Sequence, residues 1–215
     1  KKNFIHQYGT KSSGAETIIH MFQQTIIQKP NFDIFCADAV KAFYNLNRDL
    51  AMKKLKAECP EYFNLFMDKY NGSSNAFFFG LVQGVQKFVQ SEGGGPGSPE
   101  MSFLYELGIN EFVQNVTNLL RDPNDQLDYN GVFAGYIDDL NWAATFDKMV
   151  EVIKFVLERG PSYGYKLNLK KSVYLMAPTT TKLSAHEIKR KIQILNELGI
   201  PTQNIKAHPD CQLDI

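Results

Sequence analysis

The segment "GVFAGYIDDLNWAA", residues 131–144, sets two adjacent carboxylates, Asp138 and Asp139, between two apolar runs. Few local structures accommodate that pattern. Alternate side chains of a strand face opposite ways, so Val132, Ala134 and Tyr136 share one face and Phe133, Gly135 and Ile137 the other. Leu140 to Ala144 return as a second apolar run, which puts the Asp-Asp pair at the tip of a β-hairpin. Two chemistries suit such a tip. Asp favours turns because its short side chain bonds nearby backbone groups. Paired carboxylates on a rigid tip are also hard oxygen ligands for a cation. The cation reading requires a third carboxylate at the end of another strand, and a loop able to hold a phosphate.

Both are present in the sequence. "NFDIFCAD" alternates, with Ile34, Cys36 and Asp38 on one face of an expected strand, so Asp38 is a strand-end carboxylate. An Asp in that place can also cap a following helix. "SEGGGPGSP" cannot be regular structure and leads into the longest expected helix. In that helix Met101, Leu104, Tyr105, Ile109, Phe112, Val113, Val116 and Leu120 fall on one face, with Ser98 as N-cap and Pro99 at the first position. Spacing alone does not bring Asp38 to Asp138.

The remaining pattern frames these elements. Ser13 and Glu16 form an expected capping box for a helix whose apolar face is Ile18, Ile19, Phe22 and Ile26. Asn47 caps "RDLAMKKLKAEC", Pro60 closes it, and "PEYFNLFMDKY" continues at helical spacing through Tyr62, Phe63, Phe66, Met67 and Tyr70. "SNAFFFGLVQGVQKFVQS" reads as a hairpin turning at Gln83-Gly84. "RDPNDQLDYNG" is a loop into the Asp-Asp hairpin, and Thr145 to Arg159 is an amphipathic helix stopped by Gly160 and Pro161. "YKLNLKKSVYLMAP" reads as a strand, and a last helix opens at a Ser184–Glu187 capping box.

Charge is balanced overall, with 23 basic and 23 acidic side chains, so no global basic signature points to nucleic acid. Its distribution is uneven: residues 1–91 carry +4, residues 92–158 carry −9 and residues 159–215 carry +5. Such a pattern suits a cation site between phosphate-contacting walls, and a solvated acidic helix face explains part of it equally well. Three cysteines without CxxC spacing argue against a disulfide framework or a zinc knuckle, so a reducing, intracellular compartment, nuclear or cytoplasmic, is the expectation. The longest apolar run, "AFFFGLV", is too short to span a membrane. The missing initiator Met and the ending "CQLDI" suit a piece of a longer polypeptide.

Four motifs, in order over roughly residues 30–175, resemble those of reverse transcriptases. "CADAVKAFYN" resembles the first catalytic motif, "GGGPGSP" the glycine-rich motif before the long palm helix, "YIDD" the Tyr-x-Asp-Asp box, and "GYKLNLKKS" the Leu-Asn-x-x-Lys-Ser motif. "QYGTKSSGAE" is similar to the N-terminal pattern of non-long-terminal-repeat retroelement and group II intron-like enzymes. The resemblance implies an α+β polymerase palm, an antiparallel sheet packed on helices, with part of the fingers at residues 1–30 and about 60–92. It also implies that the thumb and a possible endonuclease belong to the rest of a larger polypeptide.

It further implies Mg-dependent addition of deoxynucleotides (dNTP) to a primer 3′-hydroxyl, with RNA or DNA template-primer as partner and no membrane. Asp38, Asp138 and Asp139 would hold two Mg²⁺ ions, or Mn²⁺. Lys171 would stand near the triphosphate, beside the adjacent Lys170. Phe43, five positions after Asp38, would fill the space of a ribose 2′-hydroxyl, or else is a core aromatic. Gly94 and Gly95 would let the backbone approach the nucleotide, and Lys11 would contact phosphate from the fingers. One departure stands out: the family has Gln where this chain has Gly93. An RNA-dependent RNA polymerase, and a polymerase-like domain that binds without catalysing, are the alternatives.

Overall fold

The structure is a computed structural model that describes residues 6–70, 74–80, 84–90, 92–95, 99–121, 131–178 and 183–207. Helix α1 (Gly14–Gln28) starts after Ser13, whose backbone is left-handed (φ 52°) and whose side chain caps nothing. The expected capping box fails because a cap reaches the first-turn N–H groups from extended backbone. Ile18 is buried and Phe22 and Ile26 half-buried, while Ile19, one residue and about 100° round the helix, points outward. Strand β1 (Asp33–Ala37) forms as expected and leads to the one-turn helix α2 (Ala42–Asn45).

Asn47 caps helix α3 (Arg48–Glu58), its side chain accepting from the Leu50 N–H at 3.0 Å. Helix α4 (Pro60–Tyr70) buries Phe66 and Tyr70 but leaves Tyr62 exposed. Strands β2 (Ser74–Gly80) and β3 (Gly84–Gln90) form the expected hairpin as a separate two-stranded sheet. Gly84 pairs with Gly80; the turn expected at Gln83-Gly84 involves Gln83, which lies outside the described residues.

Helix α5 (Pro99–Leu119) is the longest element, and every apolar residue expected on its buried face is buried. Its expected cap Ser98 and the loop at 122–130 lie outside the described residues. Strands β4 (Gly131–Tyr136) and β5 (Asp139–Ala144) make the Asp-Asp hairpin, followed by helix α6 (Phe146–Arg159). The helix stops at Arg159 with Gly160 as its C-cap, as expected, and the chain continues as a 3₁₀ turn, Gly160–Tyr163, ended by left-handed Gly164. The single strand expected from Tyr165 onward is broken, because the Lys171 and Ser172 N–H groups both bond back to the Asn168 carbonyl; only β6 (Val173–Met176) is regular. Helix α7 (Ala185–Glu197) has the expected Ser184–Glu187 capping box, and β7 (Ile205–Ala207) follows.

The main sheet runs β4-β5-β1-β6-β7, antiparallel except for the parallel β6–β7 pair. One face is the core: Phe35 on β1 packs between Trp142 (ring centroids 5.0 Å) and Tyr174 (6.2 Å), with α5 and α6 behind. On the other face α1 covers Ile34 and Ala143 through Phe22 and Ile26. The far end of that face stays open. Among the described residues no helix is long and apolar enough to cross a membrane.

The sheet is anchored to α7 by a carboxylate. Asp33, fully buried, accepts the Tyr174 hydroxyl and the Ala177 N–H, both at 2.6 Å, and lies 3.5 Å from the Lys191 ammonium. Removing one partner of a buried ion pair strands the other groups, at a cost of ~3–5 kcal/mol. Asp33→Ala is therefore expected to lower the unfolding free energy by about that amount, measured as the shift of the urea midpoint at unchanged slope.

Candidate active site

Register builds the site. Ala37 of β1 faces Leu140 of β5, so one step further Asp38 meets Asp139. The β4–β5 connection is the two-residue turn Ile137-Asp138 beneath the Tyr136–Asp139 pair. Ile137 sits at φ 59°, a left-handed conformation that β-branched residues avoid and that costs ~1–3 kcal/mol. The structure thus brings Asp38, Asp138 and Asp139 to one end of the sheet.

Asp38 is held by residues that the sequence reading passed over. Its Oδ2 accepts from Asn168 Nδ2 at 2.8 Å, its carbonyl accepts the Asn168 N–H at 2.8 Å, and its own N–H donates to Ser172 Oγ at 3.1 Å. Ser172 Oγ in turn donates to the Asn168 carbonyl at 2.8 Å. Asn168 and Ser172 are the Asn and Ser of the "LNLKKS" motif, which breaks the strand in order to hold the aspartate. Their spacing of one turn was the available signal.

Burial raises the Asp138 carboxyl above its ordinary range, and the Asp38 charge raises it further. Burial, then Asp138, then Asp38 raise Asp139 in the same way. Behind them the hydroxyls of Tyr105 and Tyr165 are buried without a partner among the described residues, and burial pushes both phenols well up. In front is an open cleft of about 330 Å³ lined by Cys36, Asp38, Asp139, Asn141, Lys171 and Val173. These positions alternate along adjacent strands, so they share the uncovered face. Asn141, two residues beyond Asp139, belongs to the site and was not anticipated; Lys171 was.

No three His, Cys, Asp or Glu among the described residues are gathered closely enough to hold a metal ion by themselves. The donors are nonetheless chemically right for a hard cation: carboxylate oxygens at one end of the sheet, with Asp138 and Asp139 raised by burial and by the Asp38 charge. Such a set fits an ion whose shell substrate oxygens complete.

The other expected site residues fall in two places. Phe43 is half-buried, edge-on to Tyr105 with centroids 5.5 Å apart, so it is packed and at the rim together. Gly93 and Gly94 dock on its loop: the Gly94 N–H donates to the Phe43 carbonyl (2.7 Å), the Gly93 N–H to the Leu46 carbonyl (2.9 Å), and buried Arg48 holds the Gly93 carbonyl. Gly93 is left-handed (φ 62°), and a Cβ there would lie 2.2 Å from the Phe43 carbonyl oxygen. A Cβ on Gly94 would strike Met101 Sδ, whereas Gly95 faces open space. Lys11 lies over the Tyr8 ring at 4.1 Å, on the far side of the Asp-Asp turn by Glu106, and not in the cleft.

A helix-backed antiparallel sheet with a carboxylate turn at its open end is an α+β fold of polymerase-palm type. No protein-family model matches the chain, and no curated protein matches it. Solved structures do. Telomerase from Candida tropicalis in complex with a fragment of telomeric RNA superposes with a TM-score of 0.54 at 10% identity, over 79% of this chain and 30% of that one. Apo telomerase from Candida tropicalis gives 0.51 at 10% identity, over 80% and 33%. The chain therefore spans about a third of the length of these telomerases and is similar to them in fold.

Two outcomes follow from this geometry. A carboxylate whose folded pKa is raised destabilises the fold above that pKa, and the penalty vanishes as pH falls below the unfolded value. Asp138→Asn is thus expected to raise the melting temperature of the metal-free chain at pH 8, with the gain shrinking toward pH ~4. In a chain of this size the gain is ~2–4 °C per kcal/mol relieved, read by calorimetry across pH. Gly93→Gln, which installs the residue that reverse transcriptases carry there, is expected to cost ~1–3 kcal/mol in denaturant unfolding, because the backbone is left-handed and a Cβ has no room.

Proposed function

We propose that this chain is the fingers-palm portion of an RNA-directed DNA polymerase of retroelement type, adding deoxynucleotides to a primer 3′-hydroxyl on an RNA template. One observation carries the reading: Asp38, Asp138 and Asp139 converge on one sheet end beside Lys171 and an open cleft. Two Mg²⁺ ions, or Mn²⁺, held by the three carboxylates would activate the attacking hydroxyl and stabilise the leaving oxygen.

The chain's own residues supply the rest. Asn168 and Ser172 fix the orientation of Asp38 so that its free oxygen faces the cleft side of the sheet. The repulsion that Asp38 exerts on Asp138 and Asp139 would be relieved by a bound cation, which would favour the loaded state. Lys171 offsets triphosphate charge across the cleft. Phe43, braced on Tyr105 and on the glycine loop, would occupy the volume below the sugar. The motif likeness to non-long-terminal-repeat and group II intron-like enzymes supports a longer polypeptide with a thumb and a template-primer partner.

Two alternatives have a stated basis. A non-catalytic nucleic-acid-binding domain is favoured by Gly93 and by the absence of a preassembled cation cluster among the described residues. An RNA-dependent RNA polymerase shares the carboxylate hairpin and differs at the sugar. Primer extension on an RNA template separates all three: Mg²⁺-dependent DNA synthesis abolished by Asp138→Asn is expected. Binding without extension identifies the non-catalytic domain, and a preference for ribonucleotides identifies the RNA polymerase.

Phe43 provides the sharper outcome. Overlap of a 2′-hydroxyl with a packed ring costs ~1–3 kcal/mol, roughly ten- to hundredfold in kcat/KM. Phe43→Val is expected to raise ribonucleotide incorporation by that factor while deoxynucleotide incorporation changes little, measured in single-nucleotide extension.

A further inference from the structure

We infer that Glu106 is a positioning residue that ties the N-terminal segment to the turn carrying Asp138, so that the aspartate pair is set from behind by residues 6–11. The inference rests on the reading of Asp138 as a cation ligand. Glu106 lies on α5 with its side chain fully buried between core residues Tyr105 and Leu107. Its Oε2 accepts the Thr10 hydroxyl at 2.9 Å. Its Oε1 is buried without a hydrogen-bond partner among the described residues and lies where Gly9 and the Ile137 main chain converge. Gly9 approaches so closely that a Cβ on it would lie 2.4 Å from Glu106 Oε1 and 2.4 Å from Ile137 Cγ1. One carboxylate thus meets two loops that are more than a hundred positions apart in sequence.

The same segment grips the hairpin from its edge. The Gly135 N–H donates to the His6 carbonyl at 2.8 Å and the Tyr8 N–H to the Gly135 carbonyl at 2.7 Å. Gln7, fully buried, packs on Gly135 so tightly that a Cβ there would lie 2.5 Å from its Oε1. Lys11, just beyond, shares an electrostatic field with Glu106.

The physical need is set by Ile137. A β-branched residue leaves the left-handed region unless its surroundings over-determine it. Gly9, wedged between the Ile137 side chain and the Glu106 carboxylate that Thr10 bonds, provides those surroundings. If they are released, the turn relaxes and the Asp138 carboxylate next to it loses its direction. An apolar side chain at position 106 would pack without the desolvation cost of a carboxylate. It would join neither loop.

The test uses the 215-residue chain with Mn²⁺ alone as probe, read by electron paramagnetic resonance, together with hydrogen exchange of the 131–144 hairpin. Glu106→Ala is expected to weaken Mn²⁺ binding at least tenfold and to speed exchange in the hairpin. Glu106→Gln, which keeps an acceptor for Thr10 and the shape of the side chain against Gly9, is expected to restore binding to within about threefold. Thr10→Val, which removes only the hydroxyl, guards against a misfolded Glu106→Ala and is expected to fall between the two. The inference is overturned if Glu106→Ala and Thr10→Val leave hairpin exchange and Mn²⁺ affinity unchanged, or if Glu106→Gln loses as much as Glu106→Ala. If Asp138→Asn binds Mn²⁺ as tightly as the parent, the cation reading of the hairpin fails; hairpin exchange in the Glu106 variants then still decides whether the clamp exists.

Discussion

The pairing of β1 with β5 is the constraint on which the rest depends. Phe35 faces Trp142 across it and Tyr174 on the other side, three rings without solvent exposure. A slip of one residue would turn Phe35 into the cleft and Cys36 into the core, because strand side chains alternate. The same slip would separate Asp38 from Asp139. Truncating a buried aromatic costs ~3–5 kcal/mol, so the hydrophobic face enforces the register far more strongly than the carboxylates resist it. Core packing on one side of the sheet thereby fixes polar geometry on the other.

That arrangement explains how like charges remain together. Desolvation and the Asp38 charge raise both Asp138 and Asp139, and Asp138 adds to the rise of Asp139, yet neither can retreat while the hairpin is pinned by Trp142 and Phe133 below it. The acidic surplus of residues 92–158 overstates this local charge. Much of it is spent on helix surfaces, where Glu111 pairs with Lys54, Glu151 with Lys148 and Glu100 with Lys69. Among the described acidic residues of that stretch, Glu106, Asp138 and Asp139 bear on the turn. A charge profile along the chain therefore located the site in sequence without measuring its field.

What could be read in advance was local. The hairpin, Asp38 at a strand end and the α5 core face follow from period-2 and period-3.6 patterns, and Asn47 and Ser184 cap as their three-residue spacing to Leu50 and Glu187 implied. Ser13 satisfied the same capping pattern and failed, because its left-handed backbone does not aim the side chain at the first-turn N–H groups. Glu106 escaped notice because α5 is buried on so many sides that no polar stripe marks its position. Asn168 and Ser172 act on a residue 130 or more positions away, and β7 is three residues held by a parallel neighbour. Each of these is a tertiary fact.

Gly93 shows how a departure from a family pattern can be structural in origin. Read as sequence, it is a missing Gln and weakens the case for nucleotide positioning. In the fold its left-handed backbone lies against the carbonyls of Phe43 and Tyr44, and Arg48, itself buried and set 5.7 Å from the Tyr70 ring centroid, bonds its carbonyl. The glycine loop and the α2–α3 connection are therefore one body, joined by main-chain bonds from Gly93 to Leu46 and from Gly94 to Phe43. A side chain reaching from position 93 into the site would have to displace that seam. The position of the Phe43 ring then depends on the glycine loop as much as on its own contact with Tyr105, so any discrimination at the sugar is a property of the joined loops and not of a single aromatic residue.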